Sequence, residues 1–204
     1  QIAIDAVKLV IESYGSMDDR ILIDSLSAAN LNIAECLKVN DDLQGMGTTL
    51  VVLIIVNEQA FWVSVGDSSL LSLSKDNQIQ LLNEDHSMRP VLDKLVESGV
   101  LEKDHPDYQK KINQLRSALT GKNVELYDLN KEGFSLTDCK YLVLSTDGLD
   151  TLPREEVRAI MVANAKKGPK EIASELINAI DKKDSLKQDN TTLIVINPSA
   201  YQLK

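Results

Sequence analysis

Three aspartates stand where this sequence could do chemistry. Asp147 follows the run Leu142-Val143-Leu144-Ser145-Thr146, Asp189 opens onto Asn190-Thr191-Thr192-Leu193-Ile194-Val195, and Asp67 follows Phe61-Trp62-Val63-Ser64-Val65-Gly66. Each is a lone carboxylate at one end of an apolar run with strand character. A strand fixes the direction of a carboxylate at its rim, and an anionic oxygen suits a hard cation. Three such rims on separate strands predict a divalent-metal site assembled by the fold. Single aspartates are also common in turns and caps, so the context of each one carries the reading.

The elements that must position these residues can be read from periodicity. Ile2 to Tyr14 and Asp18 to Lys38 read as two helices separated by Gly15-Ser16, the second with Ile21, Leu22, Leu26, Ala29, Ile33 and Leu37 on one stripe. Thr48 to Val56 and Gln59 to Val65 read as strands joined by an Asn57-Glu58 hairpin turn, followed by shorter strands at Leu70–Leu73 and Gln78–Leu82. Ser87 is the expected cap of a helix through Val96, and the charged stretch Glu102 to Lys111, which lacks a period, reads as an exposed insertion. Strands are expected again at Val124–Leu129 and Lys140–Ser145. Helices follow at Arg154–Ala165 and Pro169–Asp181, and a last strand at Thr191–Ile196. Strands that come in hairpin-linked runs, rather than alternating with helices, predict an antiparallel α+β architecture.

Bulk properties narrow the field further. A length of 204 residues fits a single domain with its own core, and 43% apolar with 26% charged residues is ordinary for a globular protein. The net charge of −9 argues against a nucleic-acid surface. Cys36 and Cys139 have no CxxC partner and no nearby histidine, so both read as buried thiols of a reducing compartment. No apolar run approaches the roughly 20 residues of a membrane span, and no signal peptide is evident, so the cytoplasm is the expected location and no membrane partner is expected.

Six short motifs occur in order: Gly45-Met46-Gly47-Thr48-Thr49, Val65-Gly66-Asp67-Ser68, Asp85-His86-Ser87, Arg116-Ser117-Ala118-Leu119, Ser145-Thr146-Asp147-Gly148-Leu149 and Asp189-Asn190-Thr191-Thr192. In this order they resemble the successive motifs of the metal-dependent (type 2C) serine/threonine protein phosphatases, most of all the bacterial members. The resemblance runs along almost the whole chain. It implies a four-layer α-β-β-α sandwich, two antiparallel sheets face to face with a helix pair on each outer side. It also implies hydrolysis of phosphoserine and phosphothreonine in proteins by water activated between two Mn²⁺ or Mg²⁺ ions. Asp147 and Asp189 match the ligands of that metal pair, and Asp67 matches a residue that helps hold a third ion in bacterial members. Gly148, Asn190, Thr48 and Ser68 would lie near the site, and residues 87–121 would form a flap-like insertion within a single domain spanning residues 1–204. The implied partners are the phosphoprotein products of serine/threonine kinases. No cysteine nucleophile is expected, because the positions six residues beyond Cys36 and Cys139 hold Asp42 and Ser145 rather than arginine. His86 is expected to orient the base of the flap, and His105 to be solvated.

Two departures from the family pattern matter. Its first two motifs, Arg-x-x-Asn-(Glu/Gln)-Asp and Asp-Gly-Met-Gly-Gly, occur nowhere in the sequence. They would carry a phosphate-binding arginine, the aspartate that bridges the metals and, in many members, a proton-donating histidine. No catalytic side chain is therefore assigned within these 204 residues. The chain opens on Gln1 with helical spacing already running from Ile2, so an N-terminal piece of the domain is expected to be missing. Ser69 stands where the family usually has arginine. The alternative function is a catalytically inactive phosphatase-like domain that acts as a regulatory or protein-binding module.

Overall fold

A computed structural model describes residues 1–15, 18, 20–183 and 189–201. The chain orders itself as α1 (Ile2–Ser13), α2 (Ile21–Val39), β1 (Leu50–Val56), β2 (Gln59–Val65), β3 (Ser69–Ser74), β4 (Ile79–Leu81), α3 (Arg89–Glu97), α4 (Pro106–Lys111), β5 (Asp128–Ser135), β6 (Cys139–Ser145), α5 (Arg154–Asn164), α6 (Pro169–Asp181) and β7 (Leu193–Ile196). The strands form two antiparallel sheets, one in the order β1-β2-β5 and the other β4-β3-β6-β7. The expected α+β class and its hairpin-linked strands are therefore present. Among the described residues no helix is long and apolar enough to cross a membrane.

Two compact units divide the chain. The first comprises residues 1–52, 62–67 and 84–131, and the second residues 53–61, 68–83 and 132–204. In the first unit α1 packs on α2, burying Ala3, Ala6 and Val7 against a stripe of Ile21, Leu22, Leu26, Ala29 and Ile33. Tyr14 Oη donates a hydrogen bond to Asp24 Oδ2 and ties the end of α1 to α2. The Gly121 N–H donates to Asn30 Oδ1 (2.9 Å), and any Cβ at Gly121 would lie 2.6 Å from the Ala34 Cα, so the strap after Leu119 lies directly on α2. The expected interhelical break falls partly on Ser16, and the expected start of the second helix includes Asp19; both lie outside the described residues.

The second unit is layered by the period-two alternation of its strands. β3 and β6 pair in register, Leu71 opposite Val143 and Leu73 opposite Tyr141, and β6 pairs with β7, Val143 opposite Val195. Side chains of this parity face the helices, where Tyr141 and Val143 pack with Met161 of α5 and with Ile172, Leu176 and Ile180 of α6. The opposite parity, Leu142 and Ile196, packs with Leu53, Ile55 and Ala60 from the tip of the β1–β2 hairpin. Residues such as Ile172 and Leu176 are wholly buried, and each such side chain stabilises the layer by about 1.5–3 kcal/mol. The hairpin tip is the expected Asn57-Glu58 turn. Both residues have positive φ (49° and 59°), the geometry that suits the right-handed twist of paired strands.

Several expectations need correction. The expected strand at 124–129 is displaced to β5, Asp128–Ser135, and residues 123–127 form no regular element. The segment read as an irregular insertion holds the helix α4. Pro106 occupies its first turn, His105 Nδ1 accepts from the Asp107 N–H (3.1 Å), and Tyr108 is its buried anchor. His105 is thus a cap rather than only a solvated side chain. Cys139 is buried as expected, whereas Cys36 is half-buried.

Candidate metal centre

β6 ends at Ser145, and the chain then turns sharply into a short 3₁₀ helix at Asp147–Thr151. Thr146 organises the approach of the second candidate segment. Its N–H donates to Thr192 O (3.0 Å), its Oγ1 accepts from the Thr192 N–H (3.1 Å) and donates to Asn190 O (3.2 Å). These bonds continue the β6–β7 pairing beyond the strands and draw residues 190–192 alongside 146. Gly148 completes the approach. A Cβ there would lie 2.2 Å from Thr191 Oγ1 and 2.7 Å from Asn190 O, so only glycine lets the two segments touch.

The consequence is that Asp147 and Asp189 act on one another. The Asp147 carboxyl is raised above the usual carboxylate range, first by burial and then by repulsion from the Asp189 charge. Hydrogen bonds from the backbone of Gly148 and of Asp147 itself oppose the rise. Asp189 is exposed, and its Oδ1 accepts from the Asn190 N–H (2.7 Å). Together with Asn190 and Thr191, Asp189 lines a groove completed by Ile177, Ile180 and Asp181 of α6. Two carboxylates in mutual repulsion make a donor set that a hard cation suits. Beside them, the Ser145 hydroxyl is buried and has no hydrogen-bond partner among the described residues. Among the described residues no group of three or more His, Cys, Asp or Glu side chains converges as a metal site, so the pair falls short of a full coordination shell.

Asp67, half-buried, belongs to the first unit. It follows Gly66, whose φ of +101° and tight fit against Thr49 (2.2 Å from Thr49 Cγ2 to a built Cβ) exclude any larger residue. His86 grips this turn: its N–H donates to Gly66 O (3.0 Å) and its Nδ1 accepts from the Gly66 N–H (3.2 Å). Arg116 in turn holds the segment around His86, donating from Nε to Ser87 O (2.7 Å) and from a terminal nitrogen to Asp85 O (3.1 Å). Ser87 Oγ accepts from the Arg89 N–H (3.1 Å), at the start of α3. Thr48 is exposed and exchanges two backbone hydrogen bonds with Leu119 (3.0 and 2.8 Å).

In the second unit, Ser68 O accepts from Asn83 Nδ2 (2.9 Å), and Asn83 Oδ1 accepts from the Leu70 N–H (2.7 Å). Thr146 and Asn83 are the positioning groups that sequence reasoning missed. Both act through side-chain bonds to the backbone of distant segments, which leave no periodic signal.

No family model matches the chain. It is 30% identical over 162 residues to the serine/threonine phosphatase stp of Listeria welshimeri, an alignment that covers 79% of this chain, so the chain spans 60% of that relative's length. The crystal structure of the serine/threonine phosphatase Stp1 from Staphylococcus aureus superposes with a TM-score of 0.79 at 22% identity, over 96% of this chain and 75% of that one. The catalytic domain of the serine/threonine protein phosphatase PstP, in complex with two manganese ions, superposes with a TM-score of 0.71 at 25% identity, over 97% and 79% of the respective chains. In sequence and in fold, the chain resembles the bacterial metal-dependent serine/threonine phosphatases of type 2C.

Proposed function

We propose that this chain forms the larger part of a metal-dependent phosphatase domain that removes phosphate from phosphoserine and phosphothreonine in proteins. The observation that carries the reading is the juxtaposition of Asp147 and Asp189 at the end of β6, in a chain that resembles such enzymes. These two carboxylates would hold a divalent cation, Mn²⁺ or Mg²⁺, and Asp67 would hold a further one. Bound ions of this kind supply an acidified water and neutralise charge on the phosphoryl oxygens. The chain's own residues do the positioning. Asp147 opens the 3₁₀ turn that follows β6, Thr146 fixes residues 190–192, and Gly148 lets Asn190 and Thr191, next to Asp189, lie against that turn. Residues 87–121 form a flap-like segment of the same domain in this reading, and the substrates are proteins phosphorylated by serine/threonine kinases.

One observation favours a second reading, a phosphatase-like module that binds proteins without catalysis. Among the described residues, no three His, Cys, Asp or Glu side chains gather as a metal site. The two readings separate on phosphate release from a phosphothreonine peptide with Mn²⁺, with chelator as the blank and Asp147→Asn as control. Metal-dependent turnover that disappears in Asp147→Asn is the outcome expected of the enzyme. Turnover undiminished in that variant sinks the assignment of Asp147. If these 204 residues show no turnover, the same assay with the family's N-terminal motifs supplied separates the readings, turnover then marking the enzyme and its continued absence the binding module.

A further inference from the structure

We propose that His86 is the positioning residue of Asp67, acting through the Gly66 amide, and not a metal ligand. The inference rests on the reading of Asp67 as a cation-binding carboxylate. His86 is wholly buried and makes two bonds to one residue, Gly66: it donates to the carbonyl from its backbone (3.0 Å) and accepts the amide at its Nδ1 (3.2 Å). Gly66 lies just past the end of β2 with φ +101°, so its amide has left the regular ladder and takes a side-chain acceptor instead. Asp67 is the next residue. The imidazole pins the Val65–Gly66 peptide through the Gly66 amide, and the His86 backbone pins the Gly66–Asp67 peptide through the Gly66 carbonyl. With Gly66 also pressed against Thr49, both torsions that set the direction of Asp67 are held.

The imidazole is suited to this work and to little else. Because Nδ1 accepts, the ring proton sits on Nε2, which is buried and has no hydrogen-bond partner among the described residues; Glu84 Oε2, 3.9 Å away, is too far for a bond. Burial pushes the imidazole below its ordinary pKa, outweighing the opposing pull of Glu84, Asp128 and Asp85, and Arg116 acts in the same direction as burial. An aliphatic side chain would fill the same space without leaving Nε2 unpaired. What the imidazole alone supplies is the acceptor for Gly66. Residues that orient a metal ligand commonly affect metal affinity by about 10–100-fold, although they never touch the ion.

The test uses Mg²⁺ alone as probe and the ¹³C resonances of the Asp67, Asp147 and Asp189 carboxylates as separate readouts on the whole chain. His86→Leu should shift the Mg²⁺ midpoint of Asp67 upward by about tenfold while the midpoints of Asp147 and Asp189 stay put. His86→Asn should bring it back to within about twofold of the parent, because its Oδ1 stands near the lost Nδ1. Equal movement of all three midpoints marks a global loosening and overturns the proposal, as does an unchanged Asp67 midpoint in His86→Leu. If His86→Leu does not fold, the unmutated protein still decides. A ¹⁵N–¹⁵N coupling across the Gly66 N–H···Nδ1 bond, with the ring proton on Nε2, is expected, and its absence overturns the proposal. A response at Asp147 and Asp189 with none at Asp67 sinks this inference and leaves the metal reading standing. Silence at all three carboxylates sinks both.

Discussion

Gly148→Ala isolates the contact on which the candidate centre depends. The added Cβ would sit 2.2 Å from Thr191 Oγ1, 2.7 Å from Asn190 O and 3.0 Å from the Asn190 carbonyl carbon. The first clash involves a side-chain tip that can rotate. The other two involve backbone fixed by the Thr146–Asn190 and Thr146–Thr192 bonds, so residues 190–191 must retreat by several tenths of an ångström. Overpacking of this severity costs about 1–3 kcal/mol, and for a domain of this size each kcal/mol lowers Tm by about 2–4 °C. Gly148 does not have a positive φ, so the penalty is steric rather than conformational. Thermal unfolding should therefore show Tm lower by about 2–12 °C. Adding Thr191→Ala should recover only part of the loss, since Asn190 O stays where it is. A Tm within about 1 °C of the parent would refute the reasoning, because it would mean that the Asp189-bearing segment does not lie on Gly148.

Further expectations concern groups other than the candidate metal ligands. The Cys139 thiol is buried on β6 and pushed up to about 11 from an ordinary 9.0, so the unfolded chain ionises first. Stability should fall by about 1.4 kcal/mol per pH unit above pH 9 and level off near pH 11, and Cys139→Val should remove that component in urea unfolding. Asp128 Oδ2 accepts from the indole of Trp62 (2.7 Å) and from the Glu84 N–H (3.2 Å), so Asp128→Ala should cost about 2–3 kcal/mol. It should also shift the fluorescence of the sole tryptophan; an unchanged spectrum contradicts the bond. The Ser145 hydroxyl is buried and has no partner among the described residues, so Ser145→Ala should leave stability unchanged or raise it by up to about 1 kcal/mol, and a loss on that scale would reveal a partner.

What the sequence disclosed of the fold follows from where its forces are local. The Asn57-Glu58 turn and the helix α6 were legible because turn chemistry and a period near 3.6 act within a few residues. β5 was not, and the reason is tertiary. Val124-Glu125-Leu126-Tyr127 carries the stronger strand propensity, yet the ladder to β2 is made by Asp128–Ser135, a largely polar edge strand whose side chains are half or fully exposed. Partner availability outranked propensity there. α4 was missed for the opposite reason. Its local signals, His105 as cap and Pro106 in the first turn, were present, but a six-residue helix with a single buried anchor has too few turns to display a period.

The candidate site divides along the same line. Asp147 and Asp189 could be picked out because each ends an apolar run, and the register of β6 against β7 then brings them together. Nothing in the runs themselves announces Thr146 as the hinge of that meeting or His86 as the grip on Gly66, since each bonds to backbone far away in sequence. Yet these residues explain why the arrangement persists. Two carboxylates in mutual repulsion are not self-stabilising, and no Lys or Arg among the described residues is among the influences on Asp147. The pair is held by sheet register, by three Thr146 bonds and by the absence of a side chain at Gly148. In the function proposed above, a divalent cation would turn that repulsion into binding, and the backbone geometry that keeps the pair together would then serve the ion rather than oppose it.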